Sequence, residues 1–208
     1  MSEKNTCAII LAAGTSSRMG HLKQLLPLGG KSILKHVIDT ALAENFSAVY
    51  TVTGHESGRV QSELDVLDQR HHWITNDDYL DGQSTSLKKV FQHIHPDFDN
   101  AMIFLGDMPF ITSETAALIH SEGTDLYLQH DGPFMVRPKY DGKIGHPVFI
   151  GNINDNLIEQ LEGDAGFRAL KNIFTAERFV DVEDEGANFD IDTRDQYKEA
   201  LKRLENGI

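Results

Sequence analysis

The sequence predicts an α/β fold built on a doubly wound, mostly parallel sheet, with a β-hairpin inserted in the second half. Three observations predict it. Short apolar, β-branched runs alternate with helical patterns in the first half of the chain. Polar loops containing glycine follow the first and the fourth of these runs. In the second half, Asp141-Gly142 separates two extended segments, which is a strong hairpin signal.

The first half alternates strand and helix. We expect parallel strands because each is separated from the next by a helical pattern. The predicted strands cover residues 7–12, 48–53, 72–75 and 101–105. The predicted helices cover residues 32–44, 56–67, 84–94 and 112–120, the last capped by Thr112. Trp73 lies at strand spacing and is expected in the core.

The second half has a different pattern, with more extended segments. Strands are predicted over 126–129, 134–137 and 178–182, and the hairpin pairs 136–140 with 147–150. Helices are predicted over 154–161 and 165–172, and a last one runs from Thr193 to about residue 204. The 208 residues are expected to form a single domain with an NTP-binding half (1–122) and an acceptor-binding half (123–208).

The composition bounds the function. The formal net charge of −13 repels nucleic-acid phosphates, so no nucleic-acid partner is expected. Any nucleotide site must therefore concentrate cations locally or recruit a metal. The single cysteine, Cys7, is interpreted as a buried thiol in a reducing compartment. With no signal-peptide pattern and no membrane-spanning run, we expect a cytoplasmic protein without a membrane partner.

Well-known motifs for nucleotide binding and for metal-dependent hydrolysis are absent from the sequence. Gly30-Lys31-Ser32 resembles the end of a P-loop, but Leu25 stands where that motif needs glycine. No G-x-G-x-x-G follows the first strand, and no H-E-x-x-H is present. The chemistry is therefore expected at other segments.

Three segments could form one site at the carboxyl ends of the strands, where doubly wound sheets bind ligands. The loop from Leu11 to Lys23 has small residues and two cations, which suits a phosphate chain; it could instead be a flexible polar loop. Asp107 follows the fourth strand and could bind Mg²⁺, or simply end the strand in an Asx turn. Asp190 and Asp192 could complete the metal site, or only begin a helix.

Six motifs in chain order carry a resemblance to a known family. They are LAAGTSSRMGHLKQLLPLGGKSIL, NDDYLDGQSTSL, GDMPFI, RPKYDGKIGHPVFI, GDAGFRAL and DIDT. The chain resembles the molybdopterin nucleotidyltransferase-like family of NTP transferases, and within it the molybdenum cofactor cytidylyltransferase branch. The resemblance runs from residue 9 to about residue 195 and implies a Rossmann-like nucleotidyltransferase fold. Family members often continue DIDT with proline, where this chain has Arg194.

The resemblance implies a role for each matching residue. Arg18 and Lys23 would bind the phosphates and, with Asp107, form the catalytic set. The metal-side carboxylates would be Asp107 with Asp190 or Asp192. The nucleotide-binding set would comprise Leu11, Ala12, Ala13, Gly14, Arg18, Lys23, Asn76, Gly82, Ser84 and Ser86. The acceptor-binding set would comprise Gly145, His146, Pro147 and Arg168.

The resemblance implies a Mg²⁺-dependent enzyme that transfers CMP from CTP to a phosphorylated molybdopterin and releases pyrophosphate. A methyl group at Ala13 would suit a pyrimidine better than a purine. His146 could bind the acceptor phosphate, shuttle a proton, or serve packing alone. Another NTP, or a sugar or alcohol phosphate acceptor, remains an alternative in the same class. An alternative of another class is a non-catalytic maturation chaperone that hands cofactor to a molybdoenzyme.

Overall fold

The computed structural model describes residues 6–16, 19–161 and 173–205. Its strands are β1 (Thr6–Ala12), β2 (Pro27–Leu28), β3 (Lys31–Ser32), β4 (Val49–Thr53), β5 (His71–Thr75), β6 (Asn100–Leu105), β7 (Phe134–Tyr140), β8 (Lys143–Ile144), β9 (Val148–Gly151) and β10 (Ala176–Asp181). Its helices are α1 (Ile33–Ala43), α2 (Ser57–Glu63), α3 (Gln83–Ile94), α4 (Ser113–Tyr127), α5 (Asp155–Glu159) and α6 (Arg194–Glu205).

The main sheet has the strand order β10-β7-β9-β6-β1-β4-β5, with β8 paired to β7. The β6-β1-β4-β5 part is parallel, and β9 is antiparallel to both β6 and β7. The Asp141-Gly142 turn forms a hairpin as predicted, but it joins β7 to β8. The segment predicted as the partner, 147–150, contains most of β9 and pairs with the first residues of β7. The predicted α/β class, mostly parallel sheet and hairpin insertion are therefore confirmed. In the described residues no helix is long and apolar enough to cross a membrane.

Hydrophobic layers cover both faces of the sheet. On one face, Ile9 and Ile103 pack against Leu87 and Phe91 of α3. On the other, Ile10 and Phe104 pack with residues of α1 and α4. β1 is buried on both sides, as expected for a central parallel strand with helices on both faces. This packing fixes the carboxyl ends of β1 and β6 side by side, since Leu11 is in register with Leu105.

The first turns of α1, α4 and α6 follow the capping signals in the sequence. The side chains of Ser32 and Thr112 accept hydrogen bonds from the amides of Lys35 and Thr115 and so cap α1 and α4. Thr193 Oγ1 accepts from Gln196 N at the start of α6, as predicted.

Two expectations about elements were wrong, and one falls outside the described residues. Residues 126–129 do not form a strand, because α4 continues past His120 to Tyr127. The helix predicted over 56–67 ends already at Glu63. Trp73, as expected, packs against the core, and it is partly buried because β5 is an edge strand of the described sheet. The helix predicted over 165–172 lies outside the described residues.

Candidate nucleotide-binding site

A cavity of about 590 Å³ opens at the carboxyl edge of the sheet, between the ends of β1 and β6. The loop after β1 forms one wall, the turn Tyr79–Asp81 before α3 forms another, and Gly106-Asp107 forms the third. This is the edge where the topology predicts a ligand site. Leu11, Ala12, Ala13, Gly14 and Lys23 all line the cavity, as the sequence predicts.

The Lys23 ammonium lies between two carboxylates at the end of this cavity. Lys23 Nζ is 2.5 Å from Asp107 Oδ2 and 2.6 Å from Asp192 Oδ1. A backbone hydrogen bond explains why Asp192 lies close to Lys23 and Asp107. Ile191 N donates to Asp107 O at 2.9 Å, which holds the segment before α6 against the end of β6. The structure therefore brings together Lys23, Asp107 and Asp192, three residues that the sequence singled out on separate segments.

The cluster is strongly charged. Burial of the Lys23 ammonium lowers its pKa, but the charges and hydrogen bonds of Asp107 and Asp192 outweigh burial, so the pKa lies above its usual value. The pKa of the Asp190 carboxyl is raised, first by burial and then by the negative charges of Asp192 and Asp107. Two carboxylates thus share a single ammonium, with the Asp190 carboxyl nearby, which leaves excess negative charge for another cation to neutralise.

The donor set fits a hard divalent cation. Asp107 Oδ1 is buried and has no hydrogen-bond partner in the described residues, so an oxygen lone pair is available beside the cavity. Carboxylate oxygens are the ligands that Mg²⁺ and Mn²⁺ prefer. Within residues 6–16, 19–161 and 173–205, no group of three or more acidic, histidine or cysteine side chains is already arranged around one metal position. Instead, the Lys23 ammonium supplies the positive charge between Asp107 and Asp192.

Gln24 is a site residue that motif reasoning missed. Its side chain is only 2% exposed, and its Nε2 donates to Ala12 O at 2.9 Å and to Gly14 O at 3.1 Å. Its Oε1 accepts from Ser16 Oγ at 3.1 Å. The amide thereby fixes the backbone of the loop after β1. The signal was its place next to Lys23 in a polar loop, where a buried glutamine is unusual.

The opposite wall contains the predicted segment 76–86. Gly82 and Ser86 line the cavity, and Asn76 Nδ2 donates to Ser86 Oγ at 2.9 Å. Asn76 and Ser84 are buried, so these two shape the wall rather than face the cavity.

Tyr79 and Leu80 also line the cavity and were not predicted. Tyr79 packs over Gly54 at the end of β4, where a Cβ would lie 2.6 Å from that of Tyr79. Leu80 is 74% exposed at the cavity. The sequence signal that could have found these two residues is the presence of large apolar side chains in an otherwise polar turn.

The remaining predicted residues lie elsewhere. His146 is partly buried two residues before β9, and its Nδ1 lacks a hydrogen-bond partner among the described residues. Burial, with the nearby Arg137 charge, lowers the pKa of His146 to about 3, so the imidazole is neutral near pH 7. A neutral ring that resists protonation does not suit a proton shuttle. Arg18 and Arg168 lie outside the described residues.

The fold is a doubly wound α/β fold with a charged cavity at the carboxyl edge of its sheet. Solved structures share the fold: Rv0371c from Mycobacterium tuberculosis superimposes with a TM-score of 0.77 at 24% identity, over 97% of this chain and 100% of that one. A second structure of that protein, in complex with manganese, gives a TM-score of 0.72 at 22% identity over 95% and 98% of the two chains.

The sequence comparisons narrow the class. Residues 8–179 match the model of the MobA-like NTP transferase domain, and the chain belongs to that family. It is 29% identical to the molybdenum cofactor cytidylyltransferase of Escherichia coli over 94% of this chain and 95% of that protein. It is 32% identical to the bifunctional protein GlmU of Blochmanniella pennsylvanica over 79% of this chain, and the match covers 35% of the length of that protein.

Proposed function

We propose that this nucleotidyltransferase transfers CMP from CTP to a phosphorylated molybdopterin and releases pyrophosphate. The observation that carries the proposal is the Lys23 ammonium between Asp107 and Asp192, next to a cavity formed by the loop after β1. Such a cluster suits a reaction in which charge accumulates on phosphate oxygens.

Two observations support the choice of substrates. The relative that matches almost end to end is named a molybdenum cofactor cytidylyltransferase. In addition, Ala13 lines the cavity and is 9% exposed, and we propose that its methyl group narrows the space for a base. A pyrimidine fits this space better than a purine.

In the proposed reaction an oxygen of the acceptor's phosphate attacks the α-phosphorus of CTP. The bond from that phosphorus to the bridging oxygen of the β-phosphate breaks, and pyrophosphate leaves with the electron pair. The nucleophile belongs to the acceptor and is already ionised near pH 7, so the chain need not supply a strong general base. Lys23, together with Arg18, is proposed to stabilise the charge that develops on the leaving pyrophosphate.

A divalent cation is proposed as the cofactor, with Mg²⁺ as the physiological ion. Asp107, Asp192 and Asp190 would hold it, and the orphaned Asp107 Oδ1 favours this assignment. When bound, the ion would neutralise phosphate charge that the acidic cluster otherwise repels. The manganese complex of Rv0371c supports a divalent cation in this fold.

The acceptor is proposed to bind on the second half of the chain. His146 lies two residues before β9, which runs antiparallel to β6, so it lies at the same edge of the sheet as Asp107. His146 and Arg168 are proposed to contact the acceptor, with 1–122 as the NTP-binding half and 123–208 as the acceptor half.

The test is pyrophosphate release with Mg²⁺, using CTP, GTP, ATP and UTP in parallel against molybdopterin. We expect release with CTP alone and at least a 100-fold loss in Asp107→Ala. Asp125→Asn, which changes an exposed carboxylate on α4, is the matched control and should keep full activity.

Each other outcome has a defined meaning. Equal rates with GTP and CTP would overturn the base assignment. Release with a sugar phosphate but not with molybdopterin would overturn the acceptor. If wild-type protein binds CTP but releases no pyrophosphate with any acceptor, the transferase proposal itself is wrong.

A further inference from the structure

Arg194 brings a positive charge next to the loop after β1 from the far end of the chain. It is the first residue of α6, two positions after Asp192. If Gly20 carried a Cβ, that atom would lie 3.5 Å from Arg194 Nη2. The guanidinium therefore lies against the backbone of the loop that also supplies Lys23.

Helix α6 is fixed in this place by other contacts. Tyr197 Oη donates to Pro27 O at 2.6 Å, and Leu204 packs over Gly29 in the turn between β2 and β3. Both contacts join α6 to the segment that follows the loop. The approach of Arg194 to Gly20 is thus a consequence of how the whole helix docks.

Two of the other three cations of α6 are paired with carboxylates, and the third, Lys202, is exposed in the last turn of the helix. Lys198 pairs with Asp195 at 2.9 Å, and Arg203 pairs with Glu185 at 2.8 Å. Arg194 is exposed and has no hydrogen bond or ion pair to any residue that the structure describes.

A bound triphosphate is stabilised by each further cation that reaches its oxygens. Among the described residues that line the cavity, Lys23 alone carries a positive charge, and two carboxylates already share it. The chain as a whole carries a net charge of −13. A guanidinium has several fixed donors that match phosphate oxygens, and it stays charged at every relevant pH.

We infer that Arg194 is a binding residue for the β- and γ-phosphates of the nucleotide, reaching them across Gly20. The inference rests on the proposed function and extends it by a specific residue. Gly20 contributes by having no side chain, and its φ of +70° is a conformation that glycine adopts at no cost.

The test is direct binding of CTP, CDP and CMP to the full-length protein with Mg²⁺, measured by calorimetry without any acceptor. Arg194→Ala should weaken CTP binding about tenfold, as expected for the loss of a charge-assisted hydrogen bond. CDP binding should weaken as well, and CMP binding should not change. Arg194→Lys should recover part of the affinity.

Lys198→Ala is the matched control, because it removes the same charge from the same helix at a residue paired with Asp195. It should change CTP affinity less than twofold. If Arg194→Ala binds CTP like wild type, or if Lys198→Ala loses as much, the inference is wrong. If wild-type protein binds none of CTP, GTP, ATP and UTP, the proposed function fails first, so the two failures are distinguishable.

Discussion

Lys23 is the residue at which the charges of the site meet. Replacing it with methionine keeps the length of the side chain but leaves Asp107 and Asp192 without their common partner. We expect kcat/KM for pyrophosphate release to fall about 100-fold, roughly 3 kcal/mol of transition-state stabilisation. Lys31→Met is the control, because Lys31 is 53% exposed and pairs with Asp39 away from the cavity. Activity above half of wild type in Lys23→Met would contradict the assignment.

Gln24 stabilises the backbone of the loop after β1 rather than binding charge. Gln24→Leu removes the hydrogen bonds to Ala12 O and Gly14 O, the side-chain donor that the described residues supply to these two carbonyls. We expect the free energy of unfolding to fall by about 1–3 kcal/mol and the KM for the nucleotide to rise about tenfold. Urea unfolding and steady-state kinetics measure the two effects. Gln160→Leu, at an exposed position on the surface, should change neither.

For single residues, the sequence predicts which chemical types belong to the site but not which side chains contact each other. Asp107 and Lys23 were predicted because a carboxylate after a buried strand and a cation in a small-residue loop suit a phosphate site. Their ion pair was not predicted, since 84 residues separate them in the chain. Gln24 was missed because its function depends on burial, which a polar motif does not show.

Helix α4 shows how tertiary packing decides the length of an element. The sequence predicts a helix that ends at residue 120 and a strand over 126–129, whereas α4 continues to Tyr127. In the structure Gly123 lies inside α4, where a Cβ would stand 2.2 Å from Phe149 Cγ. The glycine is there for close packing of the helix on β9, so tertiary contact overrides the local signal.

The same feature makes a prediction about stability. Gly123→Ala should lower the free energy of unfolding by about 1–3 kcal/mol, although alanine is the better helix former, because the added methyl overlaps a buried ring. Gly58→Ala is the opposite case. Gly58 is exposed in α2 with open space around its Cβ position, so the change should stabilise by up to about 1 kcal/mol. Denaturant unfolding of both variants gives the signs, and a stabilised Gly123→Ala would refute the packing argument.

At the scale of the molecule, buried histidines make stability depend on pH. Burial, with the charge of His72 and Lys35 and against that of Asp68, lowers the pKa of His71 to about 4, while Thr51 Oγ1 lies 2.9 Å from its Nε2. Burial also lowers the pKa of His146. The unfolded chain takes up these protons near pH 6.5 and the folded chain does not, so stability is full above pH 6.5 and falls as the pH drops toward 4.

Thermal unfolding at pH 7 and pH 5 measures this effect. We expect a lower Tm at pH 5, and a smaller difference in His71→Gln, which cannot titrate but can still bond to Thr51. An unchanged difference in that variant would show that other groups cause the loss.

Fold class was predictable from the whole sequence because strand and helix periods alternate regularly and the turn signals agree with them. The strand order was not, since β9 inserts between β6 and β7 through antiparallel pairs that no local pattern specifies. The carboxyl edge of the sheet was predictable as the location of the site, because that rule depends on topology alone.

The contact between Lys23 and Asp192 joins residues 169 positions apart. During synthesis, the loop after β1 and the end of β6 therefore leave the ribosome long before the segment that completes the cluster. Until α6 docks, Lys23 has only Asp107 as its partner in this cluster, and Arg194 is not yet in place. We therefore expect each chain to become active only after its last helix has been synthesised and docked. A nascent or partly degraded chain that lacks this helix is expected to have no transferase activity.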